Sequence, residues 1–489
     1  MDLLFLLTLP LITGMACRLL PRQSWAEGAN AAGALGILVA GLALAARVFG
    51  GGPASALGEL LYVDALGALL IVVIVVVGFL GALYSVGYIQ RDVAHGKVPA
   101  DQVGWYYLGY HAFLWTMLIA GTVNNLGLLW VAIEATTLVS ALLVGFYRTR
   151  AALEAAWKYL ILCTVGITFA LFGVLLTYYA SAQTLGADAG LTWTTLIAHA
   201  GQLDPGLMKL AFVFALVGFG TKAGFAPLHN WLPDAHSQAP SPVSAVLSGV
   251  LLKCGLYGVI RFYLITSVAV PGDFAPNLLL GFGLLSVVVA VPFILVQSDF
   301  KRLLAYHSVE HIGLIATAIG LGGPLGLYAG MLHLFNHAMA KALLFFVAGN
   351  LSQRYGTTQM SRIRNAIQVM PATGLLLLLG TFAITGAPPF AIFVTEFGIV
   401  GAGFARGNPA VGIVLIVALA IVFAGAFGHA LEMAFGRSTS KLFPVLAGPL
   451  STIALAVPTA FIVLFGLYVP PSISQAVQQV VTMLGGGKL

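Results

Sequence analysis

The sequence predicts an all-α, polytopic membrane protein, from its composition, the length of its apolar runs and the lack of alternation within them. Of 489 residues, 60% are hydrophobic and 8% charged, and the mean hydropathy is +1.00. That is more apolar surface than one water-soluble core can hide. Runs of about twenty apolar residues, enough to cross ~30 Å of hydrocarbon as a helix, recur from Leu3 to Tyr468. Barrel strands would be about ten residues of alternating character. Ile71-Val72-Val73-Ile74-Val75-Val76-Val77 does not alternate.

Fourteen such runs lie near 2–20, 30–49, 63–88, 106–123, 126–146, 156–180, 209–226, 241–266, 276–297, 303–321, 325–350, 371–400, 410–435 and 450–469. The basic residues between them report orientation, because cytoplasmic loops are enriched in Lys and Arg. Odd-numbered loops carry Arg18, Arg22, Arg91, Lys97, Arg148, Arg150, Lys301, Arg302, Arg354, Arg362, Arg364, Arg437 and Lys441. Even loops carry Arg47, Arg261 and Arg406, with Lys209 and Lys488 near the outer ends. Thirteen against five puts the odd loops in the cytoplasm and both termini outside, which requires an even number of spans. No basic region precedes Leu3 and no small-residue cleavage pattern follows it, so span 1 is expected to be retained.

The net charge of +6 is spread over these loops and forms no nucleic-acid-binding patch. Cys17, Cys163 and Cys254 stand singly in or beside apolar helices, without the spacing of an iron–sulfur or zinc site. Neither GxGxxG after a strand nor GxxxxGK[ST] occurs, so nucleotide-driven pumping is not expected. No cofactor is predicted.

Charged residues inside the spans are the main functional signal. Lys158, Lys222, Lys253, Lys341, Glu134 and Glu396 all fall within apolar runs. Each costs about 2.5–3.5 kcal/mol at the bilayer centre on insertion scales, so such residues mark ion pathways. Snorkelling accounts equally well for Lys158, which lies barely a turn into span 6. Two of the charges sit beside sequences that break helices, and unwound backbone inside a membrane lines cavities. The first break is Gly218-Phe219-Gly220-Thr221-Lys222-Ala223-Gly224-Phe225-Ala226-Pro227 in span 7; the second is Thr385-Gly386-Ala387-Pro388-Pro389-Phe390 in span 12, with Glu396 two turns on. Gly224, Pro227, Pro388 and Pro389 are the expected breakers. The breaks are five spans apart, so the helices that hold them run in opposite directions. This predicts two inverted five-helix repeats, 106–266 and 267–436, preceded by three helices in 1–105 and followed by one helix and a short tail in 437–489.

His307-Ser308-Val309-Glu310-His311 matches the HxxEH pattern of one metallopeptidase class. It opens a membrane span with no further carboxylate ligand or water-filled cleft indicated, so a chance match is expected and no metal site is assigned. His333, His337 and Lys341 are four residues apart and share one helix face, where neutral imidazoles can relay protons.

Several stretches resemble a known family. They are Lys222-Ala223-Gly224-Phe225-Ala226-Pro227-Leu228-His229-Asn230-Trp231-Leu232-Pro233-Asp234-Ala235-His236; Ala239-Pro240-Ser241-Pro242-Val243-Ser244 leading to Lys253; Asp299-Phe300-Lys301-Arg302; and His333-Leu334-Phe335-Asn336-His337 running on to Lys341. Together they resemble the antiporter-like, proton-translocating membrane subunits of complex I and of membrane-bound nickel–iron hydrogenases. Ser308-Val309-Glu310-His311 and Glu134-Ala135-Thr136-Thr137 point within that group to the hydrogenase-4 component F type, as in formate hydrogenlyase-like complexes. Lys253-Cys254-Gly255 looks more like the medial complex I subunits. A cation/proton antiporter of the Mrp type, or the membrane subunit of an inorganic-carbon uptake pair, is the other reading.

The resemblance implies an inner-membrane subunit that partners other membrane subunits and a peripheral redox arm, with no active site of its own. It implies that Glu134 pairs with Lys222 at a cytoplasmic half-channel and that Lys253 relays at the centre. His337 and Lys341 would then pass the proton to Glu396 and an outer half-channel, with Lys158, His229, His307, Glu310, His311 and His333 in support. An ion pair at ~5 Å in an effective dielectric of ~20 is worth about 3 kcal/mol, enough for movement of Glu134 to drive a proton from Lys222.

Overall fold

The computed structural model describes residues 2–186, 190–437 and 449–487. Lys441 and Lys488, counted in the charge balance, lie outside the described residues. The chain runs through α1 (Asp2–Leu19), α2 (Gln23–Gly51), a hairpin of β1 (Ala54–Ala56) and β2 (Leu61–Val63), α3 (Ala65–Ala94), α4 (Val103–Thr122), α5 (Leu126–Val144) and α6 (Arg150–Leu185). It continues with α7 (Trp193–Ala198), α8 (Pro205–Ala223), α9 (Leu232–Gln238), α10 (Ser241–Val246), a π-helical turn (Leu247–Leu251), α11 (Leu252–Ala269), α12 (Phe274–Val296), α13 (Phe300–Leu321) and α14 (Gly323–Tyr355). The last helices are α15 (Ala366–Val369), α16 (Pro371–Ile384), α17 (Ala391–Ala405), α18 (Pro409–Phe435), α19 (Pro449–Leu467) and α20 (Pro471–Met483).

Short polar caps start these helices where the chain turns. Asp64, Asn125, Thr149, Asp204 and Asp299 each accept a hydrogen bond from the backbone N–H three residues on, satisfying an end that hydrocarbon could not solvate. Among the described residues, eleven helices are long and apolar enough to cross a membrane. The three remaining expected spans fall on α4, α13 and the interrupted pair α16–α17. Burial divides the helices. The most apolar windows of α1, α2, α12 and α18 are only 33% buried, whereas that of α14 is 94% and that of α10–α11 100% buried. The helices that carry Lys253 and Lys341 are therefore the central pillars, together with α3, whose window is 83% buried.

Three expectations need correction. The sequence places the break of span 7 from Gly218 onward, yet α8 is intact to Ala223 and ends at Gly224, whose left-handed backbone (φ 86°) caps it. Gly218 serves packing instead: a Cβ there would strike the Ala170 backbone of α6. Arg261, counted with the outer loops, is 0% exposed inside α11 and pairs with Asp64. Loop 2 contains the antiparallel β1–β2 hairpin, with Ser55 opposite Tyr62. The short tail forms α20, which sets Val477, Val480 and Val481 against the protein.

Candidate functional site

The charged side chains gather along a path from α5 to α17. At its first end, Lys222 sits in the last turn of α8, 1% exposed. Its Nζ donates to Thr137 Oγ1 on α5 and to Tyr159 OH on α6, both at 2.7 Å, and Tyr159 OH is 2.7 Å from Ser140 Oγ. The direct Glu134–Lys222 ion pair is not formed. Glu134 Oε1 accepts from Thr164 Oγ1 at 2.8 Å, and the carboxylate stays within electrostatic range of Lys222. Thr137, three residues on and next to Glu134 on the same side of α5, takes the ammonium, while Thr164 of α6 takes the carboxylate.

Lys253 follows the π-helical turn, which offsets the backbone hydrogen bonds by one residue. Its Nζ donates to the Ser248 carbonyl at 3.0 Å and to His337 Nδ1 at 2.7 Å. Close packing joins this centre to the first site: a Cβ on Gly255 would lie 2.5 Å from Ala223 N and 2.8 Å from the Lys222 carbonyl carbon.

Four imidazoles fill the second half. His337 and His311 have ring centroids 4.8 Å apart. His311 Nδ1 is 2.9 Å from His333 Nε2, and His311 Nε2 is 3.0 Å from the Ile384 carbonyl. That carbonyl ends α16 where the helix breaks. Since a carbonyl only accepts, His311 Nε2 carries a proton. In neutral His311, Nδ1 then accepts from His333 Nε2–H, and His333 Nδ1 in turn accepts from the Thr395 hydroxyl at 2.8 Å. Thr395 Oγ1 also has the Ile392 carbonyl at 2.9 Å. Rotating the hydroxyl proton to that carbonyl lets His333 donate from Nδ1 too, so the chain has a place for one added proton.

Glu396 closes the path. It is 4% exposed, with Oε1 3.9 Å from His311 Nδ1 and without a hydrogen bond among the described residues. Its carboxylate fills the space over Gly386, whose φ of 67° and missing Cβ make that approach possible. Phe397 does not line the site, being 69% exposed.

Lys341, expected to hand a proton to Glu396, donates to the Leu304 carbonyl and lies within electrostatic range of Glu310. His311 stands beside Glu396 instead. His307 Nδ1 meets Glu310 Oε2 at 2.9 Å, and ligand atoms of His307, Glu310 and His311 fit within 4.8 Å of one another. Both His311 nitrogens are already engaged, so a metal would have to break the relay just described. His229 packs against Phe293 and Tyr306, away from the path. Lys158 is half exposed, 2.6 Å from Glu154 and 3.6 Å from Asp234, as snorkelling predicts. Gly224 and Pro227 flank the first break, and Pro388 and Pro389 lie within the second, between α16 and α17.

Sequence reasoning missed the hydroxyls. Thr137, Tyr159 and Thr395 lie in ordinary apolar helices, and only their placement around a buried cation or imidazole distinguishes them. It also missed Arg261–Asp64, a bidentate pair at 2.7 Å with Arg261 stacked 3.8 Å over Trp193. An Asp at the start of span 3 and an Arg two turns beyond Lys253 could have signalled it.

A family model for the NADH:quinone oxidoreductase/Mrp antiporter transmembrane region matches residues 123–424. The chain is 38% identical over 430 residues to a hydrogenase-4 component F homolog of Methylacidiphilum infernorum, covering 87% of this chain and 89% of that one. It is 30% identical to NADH-quinone oxidoreductase subunit N of Desulforudis audaxviator, covering 88% and 86%. Among solved structures it matches a chain of an archaeal membrane-bound sulfane sulfur reductase, with TM-score 0.86 and 26% identity over 99% and 97% of the two chains. A chain of the Mrp complex from Dietzia sp. shares the fold, with TM-score 0.84 at 20% identity over 99% and 97%. These neighbours are parts of multisubunit membrane complexes. The chain belongs to the NADH:quinone oxidoreductase/Mrp antiporter transmembrane family.

Proposed function

We propose that this chain carries protons across a bacterial-type inner membrane as the antiporter-like subunit of a membrane-bound redox complex of the hydrogenase-4 or formate hydrogenlyase kind. The observation that carries this reading is the buried chain Lys253–His337–His311–His333, ending beside the unpaired Glu396 carboxylate. A dry helix bundle does not hold so many titratable groups for stability alone. In this reading Glu134, Lys222, Lys253, His337, His311 and Glu396 conduct, Lys341 tunes the centre through Glu310, and redox chemistry in partner subunits moves Glu134. Fourteen spans, two inverted repeats over 106–266 and 267–436, and extracytoplasmic termini belong to the same proposal. Removing Arg261 from the outer count leaves thirteen against four, so the orientation rests on more, not less, asymmetry.

The test is proton uptake by the intact complex reconstituted in vesicles. Lys253→Met should stop redox-driven acidification while subunit composition stays intact; undiminished acidification overturns the relay. Reporter fusions after Leu489 and Arg364 check orientation: cytoplasmic fluorescence only from Arg364 is expected. Because the fold is shared with an Mrp chain, a cation/proton antiport reading is kept. Sodium-driven proton movement without any electron donor would favour it.

A further inference from the structure

A cavity of about 690 Å³ lies outside the proton path, between α4, α5 and the start of α6. Trp105, Ala112, Leu142, Leu153, Ala156 and Trp157 are among its walls. Leu142 is 78% and Trp157 62% exposed, so the cavity opens on the apolar outer surface of the bundle. At one rim stands Arg148, exposed and in no ion pair among the described residues. Trp105, on the same rim, also lines a second, more polar cavity of about 300 Å³ that contains Arg18 and Asp101. Arg18 lies 4.5 Å over the Trp105 ring. Arg150 opens α6, two residues after Arg148. The start of α4, the end of α5 and the start of α6 thus bring three arginines and two tryptophans to one level of the bundle.

We propose that this groove binds an anionic phospholipid of the cytoplasmic leaflet, with an acyl chain between α4, α5 and α6 and the phosphate between Arg148 and Arg18. The leaflet assignment rests on the orientation proposed above. Charge complementarity selects the occupant: basic pockets between membrane helices on the cytoplasmic side recruit anionic headgroups, and tryptophans mark headgroup depth. Asp101 offsets part of the charge near Arg18 and leaves Arg148 as the main contact. The groove floor, Val139 to Leu143, belongs to α5, the helix that presents Glu134 and Thr137 to Lys222. A bound chain would therefore brace the first site.

The test uses the native complex in phosphatidylcholine vesicles doped with phosphatidylglycerol that carries a photoreactive acyl chain, with labelled peptides read by mass spectrometry. Labels should concentrate on α4, α5 and the start of α6. Arg148→Gln should lower that labelling about fivefold, the effect of one basic residue near the surface. Ala112→Phe, which narrows the slot, should lower it without unfolding the surface-exposed rim. Even labelling of all lipid-facing helices, equal labelling from a photoreactive phosphatidylcholine, or crosslinks from Leu142 to another subunit's helix in the native complex would each overturn the proposal. Loss of labelling with unchanged orientation in the reporter fusions would still support the site, whereas reversed orientation would sink only its leaflet.

Discussion

The two broken helices hold their charges in different company. Around the end of α8, Lys222 is surrounded by hydroxyls, those of Thr137 and Tyr159, and its carboxylate Glu134 stands apart on α5. Around the break between α16 and α17, the Glu396 carboxylate stands 3.9 Å from the His311 imidazole, and Lys341 stands apart on a backbone carbonyl. In neither half do the two expected opposite charges meet directly. Hydroxyls hold an ammonium in place by accepting from it, whereas neutral imidazoles both accept and donate and so move protons along. In the proposed relay the first half retains a proton until a partner charge moves, and the second passes one on.

That contrast can be broken. The largest effect should come from Lys222: Lys222→Ala should lower proton transfer about 100-fold or more, and Lys222→Arg should do the same, because arginine keeps its proton. Vesicle acidification measures both, and wild-type transfer in Lys222→Arg would remove Lys222 from the path. Glu396→Gln should also cost about 100-fold with the complex intact. An active, intact Glu396→Gln complex would reduce Glu396 to a plug over Gly386. Next, Thr395→Val deletes the hydroxyl that donates to His333 Nδ1 and should slow transfer about tenfold, the worth of roughly one buried hydrogen bond. Thr137→Val should cost less, about threefold, because Tyr159 still holds Lys222. If Thr137→Val proves the more damaging of the two, the hydroxyl half is the relay and the imidazole half the store. Asp64→Asn acts on stability rather than transfer: it leaves Arg261 buried without its counter-ion, at a cost of about 3–5 kcal/mol. Thermal unfolding of the purified chain reads that loss, and Tyr257, which accepts from Arg261 at 2.7 Å, softens it.

Much of the site was legible because membrane burial makes charge conspicuous. Glu134, Lys222, Lys253, Lys341 and Glu396 each interrupt an apolar run, and the Gly and Pro clusters near 224 and 388 announce where backbone hydrogen bonds are released. His333 and His337 were legible through their four-residue spacing on α14. What stayed hidden was pairing. Glu134 and Lys222 are opposite charges on neighbouring helices, and nothing in their spacing tells that Thr137 takes the ammonium. The resemblance makes Lys341 and Glu396 consecutive, yet His311, on another helix and 85 residues before Glu396 (396 less 311), is the group that reaches the carboxylate.

By itself the sequence determined the solvent, the helical architecture, the approximate spans and the set of titratable residues, because each follows from local composition against the cost of desolvating charge and backbone. Only the tertiary structure decided which of those residues touch. Contact depends on the rotation of each helix about its own axis, set here by close glycine packing at Gly218 and Gly255, by the π-helical turn before Lys253 and by the free Ile384 carbonyl at the second break. A residue added or lost from such a turn swings every later side chain by about 100°. Partners a few ångströms apart are therefore fixed by packing between distant segments, which no single run of sequence contains.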